Sequence, residues 1–570
     1  MADGEAVSVA PEKVGSMGKR LLRTPRGRIL AAVFLWMIFS VVLGVLYAAI
    51  PPSPDQALFD YIGWRILDGA TPYAEVVELN WPGAMVLHTA STWLFGNTIH
   101  AWRTFDYFYL VLTVVFVFLV VRAFAGWKTA AVAGLMYQIL YVTGGPWFSG
   151  QRDIVATPFL LAAFFSQARA IRDRSLFWQA LTGPAVGLAM IIKPTLGAGA
   201  LMLAIQVVYF LARGRLDVRA AFLHLAVTGG SLLSTFAVLA AGAWILGFLD
   251  DWWEMSILFN SAVYTRESTS ASNLMGRILA YAVPSWHWLL IASVAGFILL
   301  LRSRIAWLSW IAFSLLGTAM ISCVVQQKGF GYHLGPVMMM LAILTAVVLA
   351  ACLEAVAKRP WQWRSLRIPV CLAVLAVAAA GLGSKLNREL GRPAAWVLGS
   401  ITHEALLRNF NGGDEGVTMA DVVGASGYIA DRSTRRESVL LWGRSVLVKF
   451  LACRRSPTRF CHAYMLWAAR DTFEGSAAWA AEFRECMEAD PPAFILLTRI
   501  PGGGHVWIKE GEEPAESVAL LLDTLRRGYR REAQFGGLEI YGRCEGDSAD
   551  FVLAPYGLQG ATWITSGRVR

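Results

Sequence analysis

Residues 29–50 read ILAAVFLWMIFSVVLGVLYAAI, a run without one charged side chain, and Lys13, Lys19, Arg20, Arg23, Arg26 and Arg28 all stand before it. A hydrocarbon core about 30 Å thick is crossed by roughly 17–25 apolar residues in a helix, so this run predicts a membrane span. It is longer than the apolar core of a signal peptide and is expected to stay as a signal anchor. The composition extends that reading to the whole chain. Of 570 residues 56% are hydrophobic and only 16% charged, and the mean hydropathy is +0.51, more apolar surface than one water-soluble core takes up. The 23 Trp and 12% aromatic content suit a bilayer interface. The net charge of +10 lies largely in short loops between apolar runs, where it reports orientation and not nucleic-acid binding.

Working outward, eleven apolar stretches are long enough to cross: 29–50, 105–124, 129–147, 154–171, 177–193, 195–212, 220–249, 284–301, 305–325, 333–353 and 368–384. Placing residues 1–28 in the cytoplasm and alternating sorts the basic residues cleanly. Arg122, Lys128, Arg169, Arg172, Arg174, Arg213, Arg215, Arg219, Arg302, Arg304, Lys358, Arg359, Arg364 and Arg367 join the amino-terminal six inside. Opposite them stand only Arg65, Arg103, Arg152, Lys193, Arg266, Arg277 and Lys328, a strong positive-inside bias. The expected class is therefore an α-helical polytopic membrane protein, with a transmembrane domain over 29–384 and a long first exported loop at 51–104. The run 82–95 in that loop is too short to span and fits an interfacial or re-entrant helix.

An odd number of spans puts residues 385–570 on the exported side. Short β-like runs at 438–441, 493–497 and 538–541 alternate there with helix-like runs at 418–431, 477–489 and 514–526, the pattern of a small α/β domain. Cys453, Cys461, Cys486 and Cys544 lie in this domain, and the sequence leaves their three possible pairings, or four free thiols, open. Cys323, Cys352 and Cys371 lie in spans. The Gly-rich stretch 501–505 lacks the ending of a phosphate-binding loop and reads as a turn.

Charge inside a bilayer costs about 2.5–3.5 kcal/mol on insertion scales, and here the ionisable residues gather at the exported ends of the spans. They are Asp55, Asp60, Glu75 and Glu78, then Arg152 and Asp153, Lys193, then Asp250, Asp251 and Glu254, and last Lys328 and His333. Carboxylates and cations sharing one cavity can perform glycosyl or phosphoryl transfer, with a carboxylate deprotonating a hydroxyl while cations hold a departing phosphate. The plainer alternatives are a helix cap for Asp153 and a snorkelling anchor for Lys193. A secondary transporter or flippase is the competing class. It predicts midplane charges, broken helices or paired halves, and no internal repeat is visible.

Several motifs carry a family resemblance. Pro54-Asp55-Gln56-Ala57-Leu58-Phe59-Asp60-Tyr61, Arg65-Ile66-Leu67-Asp68-Gly69, Thr71-Pro72-Tyr73, Asn80-Trp81-Pro82-Gly83 and Leu94-Phe95-Gly96 together resemble the first exported loop of the GT-C glycosyltransferases. The bacterial members related to the lipid A aminoarabinose transferase and the protein O-mannosyltransferases are the most similar. Gly150-Gln151-Arg152-Asp153, Lys193-Pro194-Thr195 and Gln327-Lys328-Gly329-Phe330-Gly331-Tyr332-His333 follow in order, then residues 439–443 and 455–460. The resemblance implies an inverting glycosyltransferase that takes a sugar from a polyprenyl-phosphate donor to a lipid, glycan or protein acceptor at the exported face of a bacterial inner membrane. A lipid-linked polysaccharide ligase is the nearest enzymatic alternative. By position Asp55 would be the general base and Asp153 the second catalytic carboxylate, with Lys193, Lys328, His333 and Arg152 binding the donor phosphate. No cofactor is certain and a divalent metal is left open. Two departures stand out: relatives often carry Asp-Glu where this chain has Asp55-Gln56, and Lys-Pro-Pro where it has Asn80-Trp81-Pro82.

Overall fold

The computed structural model describes residues 24–263, 270–302, 306–358, 367–469, 473–501, 504–508 and 516–544. The basic residues Lys13, Lys19, Arg20, Arg23, Arg266, Arg304, Arg359 and Arg364, and Gly502 and Gly503 of the Gly-rich stretch, lie outside the described residues.

Thr24 starts the first helix, α1 (Pro25–Ala48), by accepting from the Gly27 amide with its hydroxyl, and Pro25 fills the first turn, where no donor is needed. Two short helices follow in the long loop, α2 (Pro54–Leu67) and α3 (Pro82–Phe95). At 14 residues α3 spans about 21 Å, short of a bilayer core, and it leaves Val86, Trp93 and Leu94 exposed.

The helix α4 (Ala101–Val142) runs for 42 residues but is broken at Gly126, whose φ of 80° and ψ of 169° are open to glycine and costly for other residues. The break divides it into two crossings, as the sequence expects. Then come α5 (Arg152–Asp173), α6 (Leu176–Ile192), a 3₁₀ turn (Pro194–Gly197), α7 (Ala198–Ala212) and α8 (Val218–Ile245). The last four helices of this region are α9 (Ala271–Arg302), α10 (Ala306–Gln326), α11 (Gly335–Lys358) and α12 (Arg367–Val397). Among the described residues nine helices are long and apolar enough to cross a membrane. The break in α4 and the shorter apolar helix α6 (17 residues) fall where the sequence placed further apolar stretches, and the chain is an integral membrane protein.

Burial sorts these helices into layers. The most apolar windows of α5 and α11 are 72% and 78% buried, whereas that of α8 is only 6% buried and presents Phe222, Leu233 and Val238 outward. Apolar side chains outside and inside alike are what a lipid solvent permits. Close backbone approach helps: a methyl on Gly296 of α9 would collide with the Leu344 carbonyl of α11.

Helix α12 continues past residue 384, where its apolar stretch ends, and leads into a four-stranded sheet. Its strands are β1 (Val439–Trp442), β2 (Phe494–Thr498), β3 (Tyr529–Phe535) and β4 (Leu538–Arg543), in the order β1-β2-β4-β3. β1 and β2 are parallel, and the two remaining pairings are antiparallel. The helices α13 (Met419–Arg432), α14 (Ser476–Ala489) and α15 (Glu516–Gly528) stand where the helix-like runs were expected. β3 was not anticipated, because YRREAQF at the sheet edge buries little and carries no apolar run. Cys453, Cys461, Cys486 and Cys544 are all free thiols. The α/β region and the first loop share one hydrophobic core, in which Ala57, Tyr61 and Val77 meet Leu447, Phe460 and Cys461.

Candidate active site

The first turn of α2 is built to hold Asp55. Ser53 Oγ accepts from the Gln56 amide at 3.4 Å, Gln56 Oε1 accepts from the Ser53 amide at 2.9 Å, and Pro54 occupies the first helical position, a capping box. Gln56 also donates from Nε2 to the Ser149 carbonyl at 2.8 Å, and Gln151 Nε2 donates to Ser53 Oγ at 3.1 Å. The departure from Asp-Glu thus has a structural use, because a carboxylate at 56 could not donate to that carbonyl. Asp55 is half-buried and, among the described residues, makes no hydrogen bond or ion pair.

Arg152 and Asp153 open α5, with Gln151 as the N-cap. Asp153 is fully buried, and neither carboxylate oxygen makes a hydrogen bond, so it does not cap the helix. Its neighbour is Lys193, whose Nζ lies 3.7 Å from Asp153 Oδ2. Lys193 is the extended residue between α6 and the 3₁₀ turn (φ −146°, ψ 100°) and is 9% exposed, so it is no snorkelling anchor. Burial pulls its ammonium down to about 8; Asp153 opposes that fall, Arg152 deepens it, and Asp55 opposes it.

The Arg152 guanidinium sits 5.3 Å from the centre of the Phe59 ring and lies in the field of Tyr332, Asp55, Glu78 and Asp153. His333 is buried with Nδ1 unpaired, has the Tyr332 ring edge-on at 4.8 Å, and lies in the field of Lys193 and Arg152. Lys328 is buried on the same segment, between Gln327 (φ 51°) and Gly329 (φ 68°), and its carbonyl accepts from Arg277 at 2.9 Å. The structure therefore brings Asp55, Arg152, Asp153, Lys193 and His333 within electrostatic reach of one another, with Lys328 on the segment that carries His333.

Glu78 was not among the expected site residues. It is 1% exposed; Oε1 accepts from the Asn80 amide at 3.1 Å and from the Asn80 side chain, while Oε2 is buried without a partner. Burial pushes its carboxyl up, Arg152 pulling the other way. Asn80 thus holds this carboxylate in place. The signal was a lone charge in the run Val76-Val77-Glu78-Leu79.

A second network lies beneath. Arg103, fully buried, donates to Tyr47 Oη at 2.9 Å and to the carbonyls of Ser149 (2.7 Å), Pro146 (3.0 Å) and Pro51 (3.3 Å). Asp106 accepts from Tyr47 and Tyr141 at 2.6 and 2.5 Å, and Asp60 pairs with His88 Nδ1 at 2.7 Å. These groups rigidify the floor under α2. From the other side the α/β region clamps the loop: the Ser456 amide donates to Tyr61 Oη at 2.9 Å, the Val77 amide to the Arg459 carbonyl at 3.0 Å, and Cys461 Sγ to the Val77 carbonyl at 3.7 Å.

Among the described residues no three His, Cys, Asp or Glu side chains stand close enough together to hold a metal ion. No step below passes through a metal. What the cluster does offer is an unpaired carboxylate in the field of buried cations, the pairing that proton abstraction beside a phosphate requires.

Residues 82–244 match the family described as dolichyl-phosphate-mannose-protein mannosyltransferase. The chain is similar in structure to ArnT from Cupriavidus metallidurans bound to undecaprenyl phosphate. The TM-score is 0.50 at 13% identity, covering 90% of this chain and 98% of that one. For the apo state of the same protein the TM-score is 0.51 at 14% identity, with the same coverage. The archaeal oligosaccharyltransferase AglB from Archaeoglobus fulgidus gives a TM-score of 0.45 at 12% identity, covering 89% of this chain and 74% of that one. No curated protein sequence matches the chain. The chain shares its fold with these ArnT structures, the fold expected from the motifs.

Proposed function

We propose that this protein is an inverting glycosyltransferase of a bacterial inner membrane, with its amino terminus in the cytoplasm. It moves a sugar from a polyprenyl-phosphate donor to an acceptor hydroxyl at the exported face. The observation that carries the reading is Asp55, an unpaired, half-buried carboxylate in the field of Arg152 and Lys193. Asp55 takes the proton from the acceptor hydroxyl as its oxygen attacks the anomeric carbon. The bond from that carbon to the phosphate oxygen breaks in line, and polyprenyl phosphate leaves with the electron pair.

The departing phosphate gains charge, so cations that are already desolvated stabilise it more than solvated ones would. Lys193, Arg152 and Lys328 serve that role, and His333 donates a hydrogen bond. Asp153 keeps Lys193 charged and aimed, and Glu78 steadies Arg152.

The test is transfer by the purified, reconstituted protein from a panel of radiolabelled polyprenyl-phosphate sugars, comparing native protein with Asp55→Asn. A general base contributes about 10²–10⁴-fold, so turnover is expected to fall by that factor with donor binding kept. Equal turnover in the two proteins would reject Asp55 as the base.

A further inference from the structure

The α/β region carries an aromatic cluster apart from the charged residues of the candidate site. Trp507 is its centre: the rings of Tyr464, Trp467 and His462 lie 5.9, 6.1 and 6.4 Å from it, and the Arg444 guanidinium lies 5.3 Å from its ring centre. All four rings are half-buried, and Arg444 is exposed. Trp467 and Trp507 are nearly parallel, at 24°. The Tyr464 amide donates to His462 Nδ1 at 3.2 Å, which requires that nitrogen unprotonated. Burial, with the Lys449 and Arg444 charges, pulls the His462 imidazole down to about 3, so all four rings are neutral.

The cluster is held rigidly. Trp507 adopts φ 59°, a conformation costly for a large side chain. His505 beside it is buried, pairs with Glu539 at 2.9 Å, and bridges to Ile508. Glu539 in turn accepts from Tyr541 at 3.0 Å and pairs with Arg531 at 3.2 Å. On the other flank the Arg444 amide donates to Asp414 at 2.7 Å. Strain kept in place by a buried hydrogen-bonded pair, with the ring left partly open, is what a presented binding surface looks like.

Two observations identify the occupant. The first is continuity with the candidate site. His462 follows Cys461, which bonds the Val77 carbonyl, and the next residue is Glu78 beside Arg152. The second is the surrounding surface. Between 403 and 544 the only large hydrophobic in the exposed class among the described residues is Val423, so the described surface presents few of the aliphatic side chains that a lipid contact would use. Half-open neutral rings beside a guanidinium suit a pyranose, whose C–H face packs on the ring while its hydroxyl or acidic groups meet the guanidinium. We propose that His462, Tyr464, Trp467, Trp507 and Arg444 form a subsite for a pyranose-containing glycan of the acceptor. This identification of the acceptor class rests on the transferase reading above.

The test is a binding measurement without turnover, on the full chain in phosphatidylcholine nanodiscs. The probes are neutral and acidic oligosaccharides of hexose, N-acetylhexosamine and uronic acid. Binding is expected for native protein, with at least tenfold loss in Trp507→Ala and Arg444→Ala and retention in Trp507→Phe. If Trp507→Ala does not fold, Trp467→Ala with Arg444→Ala reads the same surface. No binding of any oligosaccharide by native protein, or undiminished binding in these variants, overturns the subsite. Quenching by brominated phosphatidylcholine that is present in native protein and missing in Trp507→Phe would also overturn it, assigning the cluster to the bilayer. Because no probe is turned over, failure of the Asp55 assay with glycan binding intact would reject the chemistry alone.

Discussion

Lys193 shows how a single residue takes its properties from where it is buried. An ammonium in water titrates near 10.4, but at 9% exposure this one is drawn to about 8. The sign is direct: the charge is complete below pH 7 and is lost as pH rises through about 8. Affinity for a polyprenyl phosphate, measured by titration of the full protein, is therefore expected to weaken above pH 8. Lys193→Arg should remove that alkaline limb, because guanidinium stays charged. A native limb that begins only near pH 10 would count against Lys193 as the phosphate cation. Gln56 gives the converse case. Replacing it by Glu, which restores the residue common in relatives, puts a carboxylate against the Ser149 carbonyl at a site 1% exposed. The expected cost is about 1–3 kcal/mol, read as a lower thermal midpoint with no gain in turnover.

Among the elements, α3 and the end of α6 govern the geometry around Lys193. A Cβ on Gly83 of α3 would stand 2.7 Å from the Ile191 carbonyl oxygen and 2.8 Å from Ile192 Cγ1, two residues and one residue before Lys193. Over-packing of this kind costs about 1–3 kcal/mol, and relief by moving α3 would shift the Lys193 turn. Gly83→Ala is expected to weaken donor-lipid binding about tenfold. Gly229→Ala, in the exposed helix α8 with nothing within 4 Å, should leave it unchanged. Equal affinities in the two variants would show that the approach of α3 does not set the site. The motif Asn80-Trp81-Pro82-Gly83 makes sense at this scale, with Pro82 starting the helix and Gly83 admitting the neighbouring backbone.

In the whole molecule, the α/β region and the first loop are one packed unit. Tyr61, Val77 and Cys461 join them by hydrogen bonds, and Lys449, itself fully buried, lies over the Tyr61 ring at 4.7 Å and donates to the Cys461 carbonyl at 2.6 Å. A chain ending at Ser400 would expose Ala57, Tyr61 and Val77 together. It is expected to lose at least tenfold in donor-lipid affinity and to be cut by protease within residues 68–81, where the intact protein resists. A truncated chain that binds donor as the intact one does would show that the membrane helices hold the loop unaided.

The crossings, the loop helix 82–95 and three of the four strands could be read from the sequence because each depends on local periodicity and apolar length, which neighbouring residues carry by themselves. Motif order likewise pointed to Asp55, Arg152, Asp153, Lys193 and His333. Burial and pairing could not be read that way. Arg103 looks like a loop charge in the sequence, yet it is the fully buried hub under α2. Glu78 looks like one acidic residue among several, yet it stands beside Arg152 with an unpaired oxygen. The edge strand 529–535 has no apolar run, and the rings of residues 462–467 meet Trp507 across forty positions of chain. The sequence alone determined a helical membrane protein with a charged face at one end. Only the tertiary structure decided which charges are buried within reach of one another, because desolvation and Coulomb coupling depend on distance in space, which segments far apart in sequence set together.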